Sequence, residues 1–222
     1  MSTNRIGIVA ISLAKISGLS GPDALRASGN NFGNMLFTKA VYTHFSKAQH
    51  IGFAFSPDEI NKNYSALIIP AANWISKRTD WQKLADRLEQ ITVPICAVGL
   101  GTQLDTIEQI TEIPDGSKRF LKILSQKSAV IGVRGEFTKK ALSLLDIHNA
   151  VSLGCPSIYM SGRLPELDLG KLKTSNRVGI GPTRYAIPKN PSSEDKQRQL
   201  YQHAIRSASS VYYQSEHSRW RC

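Results

Sequence analysis

The sequence predicts an α/β protein built on a doubly wound parallel sheet of the Rossmann-like type. Three observations predict this fold class. The apolar segments are short and rich in β-branched residues, they are apolar throughout rather than alternating with polar residues, and amphipathic segments separate them. Strands that are apolar on both faces are typical of parallel sheets covered by helices. Strand and helix in alternation then imply right-handed βαβ units.

Five segments are predicted as buried strands of this sheet. Each has the length of a strand and contains Val or Ile. In chain order they are Ile6–Ser12, Ile51–Phe55, Ser65–Pro70, Pro94–Gly99 and Ala129–Val133. A last strand of the same domain is expected to close at Gly154–Ser157 (GCPS).

The segments between the strands have helical periodicity. The predicted helices are Asn34–Phe45, Trp81–Ile91, Ser117–Ser125 and Glu136–Leu145. The face that the first of them turns to the sheet is predicted to carry Leu36, Ala40, Val41 and His44 or Phe45. The corresponding face of the second carries Trp81, Leu84, Ala85 and Leu88, and Asp80 is its expected N-cap.

The chain is predicted to hold a first Rossmann-like domain at residues 1–160, a linker at 161–176 and the start of a second α/β domain at 177–222. The linker mixes Gly, Pro and charged residues without periodicity. After it, Arg177–Gly181 and Val211–Gln214 are predicted as strands and Ser192–Ser207 as a polar helix. Because an ordinary domain needs about 100 residues, we expect the second domain to be incomplete in this chain.

The charge of the chain points to anionic partners. Its 28 Lys and Arg residues against 17 Asp and Glu residues give a formal net charge of +11, which suits phosphate esters, acidic glycans, nucleic acid or anionic lipid. The three cysteines form no CxxC pair, and no apolar run approaches the ~20 residues of a membrane span. We therefore expect a soluble protein of the reducing cytoplasm.

The first candidate for a binding loop is Gly29–Asn34 (GNNFGN), which runs directly into a predicted helix. A loop of this kind can direct backbone N–H groups toward a ligand at the positive end of the helix. Asn31 and Asn34 would add side chains suited to sugar hydroxyls or phosphate. The alternative is an ordinary helix cap punctuated by glycine, and the spacing alone leaves both interpretations open.

Two further loops follow predicted strands at the edge where open α/β sheets bind ligands. At the end of one strand lies Gly99–Gln103 (GLGTQ), in which Gly101, Thr102 and Gln103 are candidates for ligand contact. At the end of the preceding strand lies Pro70–Trp74 (PAANW), in which Asn73 is expected to face the same crevice. The alternative for both loops is a tight turn between strand and helix.

Arg134 is the single residue with the clearest chemistry. It ends a buried strand in the segment IGVRGEF, where an arginine can bind a carboxylate or a phosphate through two hydrogen bonds. The alternative is a structural ion pair with Glu136 or another acid. Cys155 is interpreted as a small packed residue, since no base accompanies it. The five histidines have no metal-ligand spacing, so no metal site is expected.

The chain resembles the polysaccharide pyruvyl transferase family over roughly residues 28–160. The resemblance rests on five segments in this order: GNNFGNMLFTKAVY, IIPAANWI, PICAVGLGTQ, AVIGVRGEFTKKAL and VSLGCPSIYM. It implies a glycosyltransferase-B-like pair of α/β domains with the active site between them. It also implies phosphoenolpyruvate as the donor substrate, no further cofactor, and a glycan or lipid-linked sugar as the acceptor. The product is a pyruvate ketal of a capsule or exopolysaccharide.

The resemblance also assigns roles to residues. Arg134 matches the arginine of the family's VRG(E)-type motif and is the expected ligand of the anionic donor. Asn31 and Asn34 match positions on the acceptor side. The resemblance also implies a catalytic histidine and further basic donor ligands in the second domain, and it assigns no catalytic residue in this chain. Because we expect that domain to be incomplete, we expect weak or absent turnover. We also expect at most peripheral contact with the inner face of the membrane.

Three other functions are compatible with the residues alone. A glycosyltransferase of the same architecture that uses a nucleotide sugar shares the fold, and fold does not separate the two. A basic module for nucleic acid or anionic membrane is permitted by the charge, but the basic residues do not cluster with aromatic residues as a stacking surface requires. A non-catalytic remnant is the third. We expect no nucleic-acid partner.

Overall fold

The computed structural model describes residues 5–162, 179–180, 191–207 and 210–211. The chain forms two compact units, Met1–Pro165 and Glu166–Cys222. The predicted linker at 161–176 lies, beyond its first two residues, outside the described residues. Residues 212–222, which include His217, one of the five histidines, also lie outside the described residues.

The first unit contains a six-stranded sheet in which every neighbouring pair of strands is parallel. The strand order is β2-β1-β3-β4-β5-β6. The strands are β1 (Ile6–Val9), β2 (Ala48–Ile51), β3 (Ala66–Pro70), β4 (Ile95–Leu100), β5 (Ile131–Val133) and β6 (Ala150–Ser152). Helices connect them. The predicted α/β fold with a doubly wound parallel sheet is confirmed.

Seven α-helices lie in the described part of the first unit: α1 (Leu13–Ser17), α2 (Gly21–Ala27), α3 (Gly33–Thr43), α4 (Pro57–Asn63), α5 (Gln82–Glu89), α6 (Asp115–Lys127) and α7 (Glu136–Ser143). The predicted helices correspond to α3, α5, α6 and α7 within a few residues at each end. Helices α1, α2 and α4 were not predicted, although each begins after a serine whose side chain accepts a hydrogen bond from a backbone N–H of the first turn.

The strand predicted at Ile51–Phe55 is wrong in position, because the structure places β2 at Ala48–Ile51. β2 is an edge strand that pairs with β1 in the described sheet, and two of its four residues, Gln49 and His50, are polar and exposed. The apolar residues Phe53 and Phe55 lie instead in the loop that follows, where they pack against the main core. Apolar character here marked a packed loop rather than a strand.

The prediction of the buried face of α3 is wrong in part. Ala40 and Val41 are buried as predicted, and of the alternatives His44 and Phe45 the phenylalanine packs against the core. Leu36, by contrast, is 48% exposed, and His44 is exposed. The residue that turns inward in place of Leu36 is Phe37, which is 4% exposed. The predicted stripe was therefore rotated by one residue at the N-terminal end of the helix.

The two faces of the sheet are covered unequally. The main core lies on one face, where Leu84, Ala85 and Leu88 of α5 are buried as predicted and pack with residues of α6 and α7. The expected N-cap of α5, Asp80, is wrong by one residue, because the N-cap is Trp81, which makes no capping hydrogen bond through its side chain. Asp80 Oδ1 accepts a hydrogen bond from Gln82 N at 3.1 Å instead. The second face carries a smaller cluster, in which Val41 of α3 packs on β1 and β3.

Tyr42 of α3 borders this smaller cluster and lends itself to a test of stability. Its hydroxyl is buried and has no hydrogen-bond partner within the described residues, and burial raises the pKa of Tyr42 to about 12. A free tyrosine has a pKa of about 10, so the unfolded chain loses this proton first. The wild-type chain should therefore lose stability as pH rises from about 10 to about 12.

We expect Tyr42→Phe to be as stable as the wild type or more stable at neutral pH and to lose less stability over that alkaline interval. Urea unfolding at several pH values measures both effects. Tyr64→Phe is the matched control, because the Tyr64 hydroxyl donates a hydrogen bond to Gln49 Oε1 at 3.2 Å. An identical alkaline slope in wild type and Tyr42→Phe would contradict the prediction.

The second unit is described over three short ranges. Gly179–Ile180 and Ser210–Val211 form the parallel strands β7 and β8, and Pro191–Ser207 forms helix α8. The predicted helix at Ser192–Ser207 is confirmed, and the rest of the two predicted strands lies outside the described residues. Across the described ranges, no helix has the length and apolar character needed to cross a bilayer.

Candidate functional site

Three of the candidate residues meet at one edge of the sheet. Asn73 follows β3, Gly101 follows β4 and Arg134 follows β5, and these three strands are adjacent. Since the strands are parallel, their carboxyl ends lie at the same edge, where ligands of open α/β sheets bind. The structure brings the three residues into mutual contact there.

Arg134 is held by three groups from three other elements. Its Nε donates a hydrogen bond to the carbonyl oxygen of Gly99 at 3.0 Å, and its Nη1 donates one to Asn73 Oδ1 at 3.2 Å. The ring centroid of Phe37 lies 5.4 Å from the guanidinium carbon, within the range of a cation–π contact. We call Phe37, Asn73, Gly99, Gly101 and Arg134 the Arg134 cradle.

The partners of Arg134 in the cradle are all uncharged. A guanidinium carries five N–H donors, and two of them are used here, so three donate no hydrogen bond within the described residues. The ion pair considered for Glu136 is absent from the described structure, since Glu136 Oε2 lies 3.9 Å from Lys139 Nζ instead. The positive charge of Arg134 is therefore not neutralised by a carboxylate in that part of the chain.

The loop that carries Asn73 is anchored by a stack of two tryptophans. The rings of Trp74 and Trp81 stack at a centroid distance of 4.3 Å, and Trp81 Nε1 donates a hydrogen bond to the carbonyl oxygen of Trp74 at 2.9 Å. Trp81 adjoins α5 and packs against the main core. Because Trp74 is held by Trp81, the position of its neighbour Asn73 is restrained as well.

Gly101 supplies the space in which Asn73 and Arg134 meet. A Cβ at this position would lie 2.7 Å from Asn73 Oδ1 and 3.1 Å from Arg134 Cδ. The backbone of Gly101 is also fixed, because its N–H donates to Ala72 O at 2.9 Å. The predicted candidate Gly101 therefore contributes room rather than a polar group to the site.

Gly99 likewise leaves room for the loop that follows β6. It has a φ of +73°, a conformation that favours glycine. A Cβ there would lie 2.7 Å from Cδ and 2.9 Å from Cγ of Pro156. The loop GCPS, which begins with Gly154 at a φ of +83°, thus packs directly against the strand end that binds Arg134 Nε.

We expect Gly99→Ala to destabilise the first unit by about 2–4 kcal/mol, since left-handed backbone costs an alanine about 1–2 kcal/mol and the overlap with the rigid Pro156 ring adds a similar amount. Urea unfolding measures the loss. Gly154→Ala is the matched control: its φ is also positive, but the nearest atom to a Cβ there is Ile158 Cδ1 at 3.6 Å. Equal losses in the two variants would show that the contact with Pro156 contributes nothing.

Thr102 and Gln103 follow Gly101 in the chain, and within the described residues neither forms a hydrogen bond with the side chain of Arg134. Thr102 bridges to Ile75 through the backbone, and its Oγ1 accepts a hydrogen bond from Leu104 N at 3.1 Å. Gln103 is exposed, and its backbone N–H donates to Ile75 O at 2.8 Å. Their backbones extend the loop after β4 alongside the loop that carries Asn73.

Asn31 and Asn34 hold the loop that opens α3. Asn31 Oδ1 accepts a hydrogen bond from Gly33 N, and Asn34 Nδ2 donates one to the carbonyl oxygen of Ser28, both at 2.9 Å. Neither side chain forms a hydrogen bond with Arg134 in the described part of the chain. Asn34 lies on the same helix as Phe37, one turn before it, and Asn31 lies in the loop just before that helix.

Phe37 is the cradle residue that the sequence analysis missed. The available signal was the helical spacing from Gly33 to Phe37 and Val41, one turn at a time, but that spacing was read with Leu36 on the inner face.

Cys155 is half-buried, and its Sγ accepts a hydrogen bond from Ser157 Oγ at 3.2 Å. His50 lies on β2, where its Nε2 is 2.9 Å from the carbonyl oxygen of Ala10.

Of three comparisons with known proteins, one identifies a family and two find no match. The chain matches no curated protein and no solved structure significantly. Residues 31–219, most of the chain, match the family model described as polysaccharide pyruvyl transferase, and this range includes every candidate site residue. The description denotes a transferase that acts on a polysaccharide, which implies a glycan acceptor. The chain belongs to the polysaccharide pyruvyl transferase family.

Proposed function

We propose that this chain binds phosphoenolpyruvate through Arg134 and transfers its pyruvyl group, as a ketal, to two hydroxyls of a cell-surface glycan or of its lipid-linked precursor. The observation that carries the proposal is the state of Arg134 at the carboxyl edge of the sheet. It is held by uncharged groups and retains three N–H donors without a hydrogen bond within the described residues. Such a guanidinium suits a carboxylate or a phosphate.

The proposed reaction balances without a redox step. A proton adds to C3 of phosphoenolpyruvate, C2 becomes electrophilic, and the first sugar hydroxyl attacks C2. The C2–O bond to phosphate breaks, and the second hydroxyl attacks C2 to close the ketal. Of the two hydroxyl protons released, one balances the proton added at C3 and the other leaves with inorganic phosphate. Arg134 contributes by orienting the anionic donor and by stabilising the negative charge on it.

The acceptor is proposed to lie toward the loop that opens α3. Asn31 uses its amide oxygen and Asn34 its amide nitrogen to hold that loop, so each keeps one polar amide atom for sugar hydroxyls among the described residues. Asn73, Thr102 and Gln103 are proposed to contribute at the donor side, where Asn73 already contacts Arg134.

We place this reaction in the cytoplasm, with peripheral contact at the inner face of the membrane where a lipid-linked acceptor would be presented. Cys96 and Cys155 are free thiols, which is typical of proteins in a reducing compartment. Fractionation of cells with the chain detected by antibody tests the location.

The test of the reaction is product analysis with the purified chain. With phosphoenolpyruvate and the extracted glycan or its lipid-linked precursor, we expect phosphate release that depends on the acceptor and a new ketal methyl signal in the NMR spectrum of the product. An acceptor with one of the two hydroxyls methylated is the control and should give no ketal. Transfer of a sugar from a nucleotide sugar, without ketal formation, would favour a glycosyltransferase and overturn the proposal.

A further inference from the structure

The contact between Phe37 and Arg134 places a buried aromatic ring beside a cation. Phe37 is 4% exposed, so its ring is firmly placed by the surrounding elements. Its centroid lies 5.4 Å from the guanidinium carbon of Arg134, which comes from β5 and not from the same helix. A buried aromatic ring beside a cation whose charge is not paired with a carboxylate is an electrostatic contact as well as a packing contact.

The ring of Phe37 adds to the two hydrogen bonds that orient the guanidinium of Arg134. Hydrogen bonds to Gly99 O and Asn73 Oδ1 hold the guanidinium at Nε and Nη1. Both are made to uncharged acceptors, and Asn73 is itself an exposed side chain. A long arginine side chain loses rotamer freedom when it binds a ligand in one geometry. A ring that fixes the guanidinium beforehand reduces that loss.

We propose that Phe37 is a positioning residue for the anionic donor, which acts through the cation–π contact of its ring with Arg134. This inference rests on the proposed function, because it concerns the residue assigned there to the carboxylate or phosphate of phosphoenolpyruvate. Phe37 does not touch the donor. It holds the guanidinium in the orientation in which the N–H groups outside the cradle can donate to an anion.

The test replaces Phe37 in the full chain by 4-fluorophenylalanine and by 3,4,5-trifluorophenylalanine. These residues keep the shape and burial of the ring but progressively weaken the negative charge on its face, on which the cation–π contact depends. We expect the affinity for phosphoenolpyruvate to fall stepwise, by about 2- to 5-fold at the trifluorinated residue. The melting temperature without ligand should stay close to that of the wild type.

Two controls separate the electrostatic effect from packing. The same substitutions at Phe120, which is 1% exposed and packs among aromatic rings of the main core, should leave the affinity unchanged. Phe37→Leu should lower the affinity in the wild-type background and should add no further loss in an Arg134→Ala background, since the two residues act as one unit.

The outcomes distinguish this inference from the function on which it rests. Binding by the unmodified chain with a flat fluorination series would overturn the role of Phe37 and leave the proposed function standing. No binding of phosphoenolpyruvate by the unmodified chain would overturn both. A stepwise loss at Phe37 with none at Phe120 supports the inference.

Discussion

Replacing Arg134 by alanine is expected to abolish the rise in melting temperature that phosphoenolpyruvate produces in the wild-type chain. A ligand that binds only the folded state stabilises it in proportion to its affinity. Arg134 has N–H donors outside its contacts with Gly99 and Asn73. Each charge-assisted hydrogen bond contributes about 1.5–3 kcal/mol, so the loss of two weakens donor binding by about 100-fold or more.

Calorimetric titration of wild type and variant with phosphoenolpyruvate measures this loss directly. Arg87→Ala is the matched control for the removal of one positive charge. Arg87 lies on α5, and its side chain donates a hydrogen bond within that helix, to the carbonyl oxygen of Lys83 at 2.9 Å. Arg134→Lys should recover part of the affinity, since lysine keeps the charge but not the planar fork. Unchanged donor affinity in Arg134→Ala would remove the central residue of the proposed function.

Gly101→Ala is expected to impair donor binding while leaving the fold nearly as stable as the wild type. The added Cβ would lie 2.7 Å from Asn73 Oδ1 and 3.1 Å from Arg134 Cδ. The end of the Asn73 side chain can rotate away at little cost, but the hydrogen bond to Arg134 Nη1 is then lost. Arg134 then has more rotamer freedom to lose when it binds the donor, at a cost of about 0.5–1.5 kcal/mol, so we expect the affinity to fall by about 2- to 12-fold.

The control for Gly101→Ala is Gly135→Ala, next to Arg134 in the chain. Gly135 has an extended backbone with a φ of −173°, and no atom lies within 4 Å of a Cβ built there. Gly135→Ala should therefore bind phosphoenolpyruvate as the wild type does. Calorimetry gives the affinity and urea unfolding the stability of both variants. A Gly101→Ala chain that lost stability but kept its affinity for the donor would refute the role assigned to Gly101.

The central strands of the sheet were predictable because a strand that is buried on both faces is apolar at every position. In β3, Leu67 and Ile69 face the main core and Ile68 faces the smaller cluster, so the whole segment is apolar. The edge strand β2 is not apolar throughout, since Gln49 and His50 face solvent. The apolar residues Phe53 and Phe55 therefore predict a strand at a position where the structure has a loop.

The location of Arg134 was predictable for a related reason. A parallel strand ends at the ligand-binding edge of the sheet, so the first polar residue after an apolar run falls there. Asn73 and Gly101 follow their strands in the same way, and the structure places them beside Arg134. Sequence position along each strand thus predicted which residues share the edge.

The sequence by itself determined the fold class, the strands of the sheet interior and the edge at which the candidate residues lie, because those features depend on local apolar patterns and on the direction of parallel strands. The tertiary structure decided what holds Arg134. The alternative pairing with Glu136 and the contacts with Gly99, Asn73 and Phe37 were equally open to the chain, since these residues lie on separate elements. Which of them meet depends on the packing of α3 and the strand ends in three dimensions, and this information does not reside in any local segment.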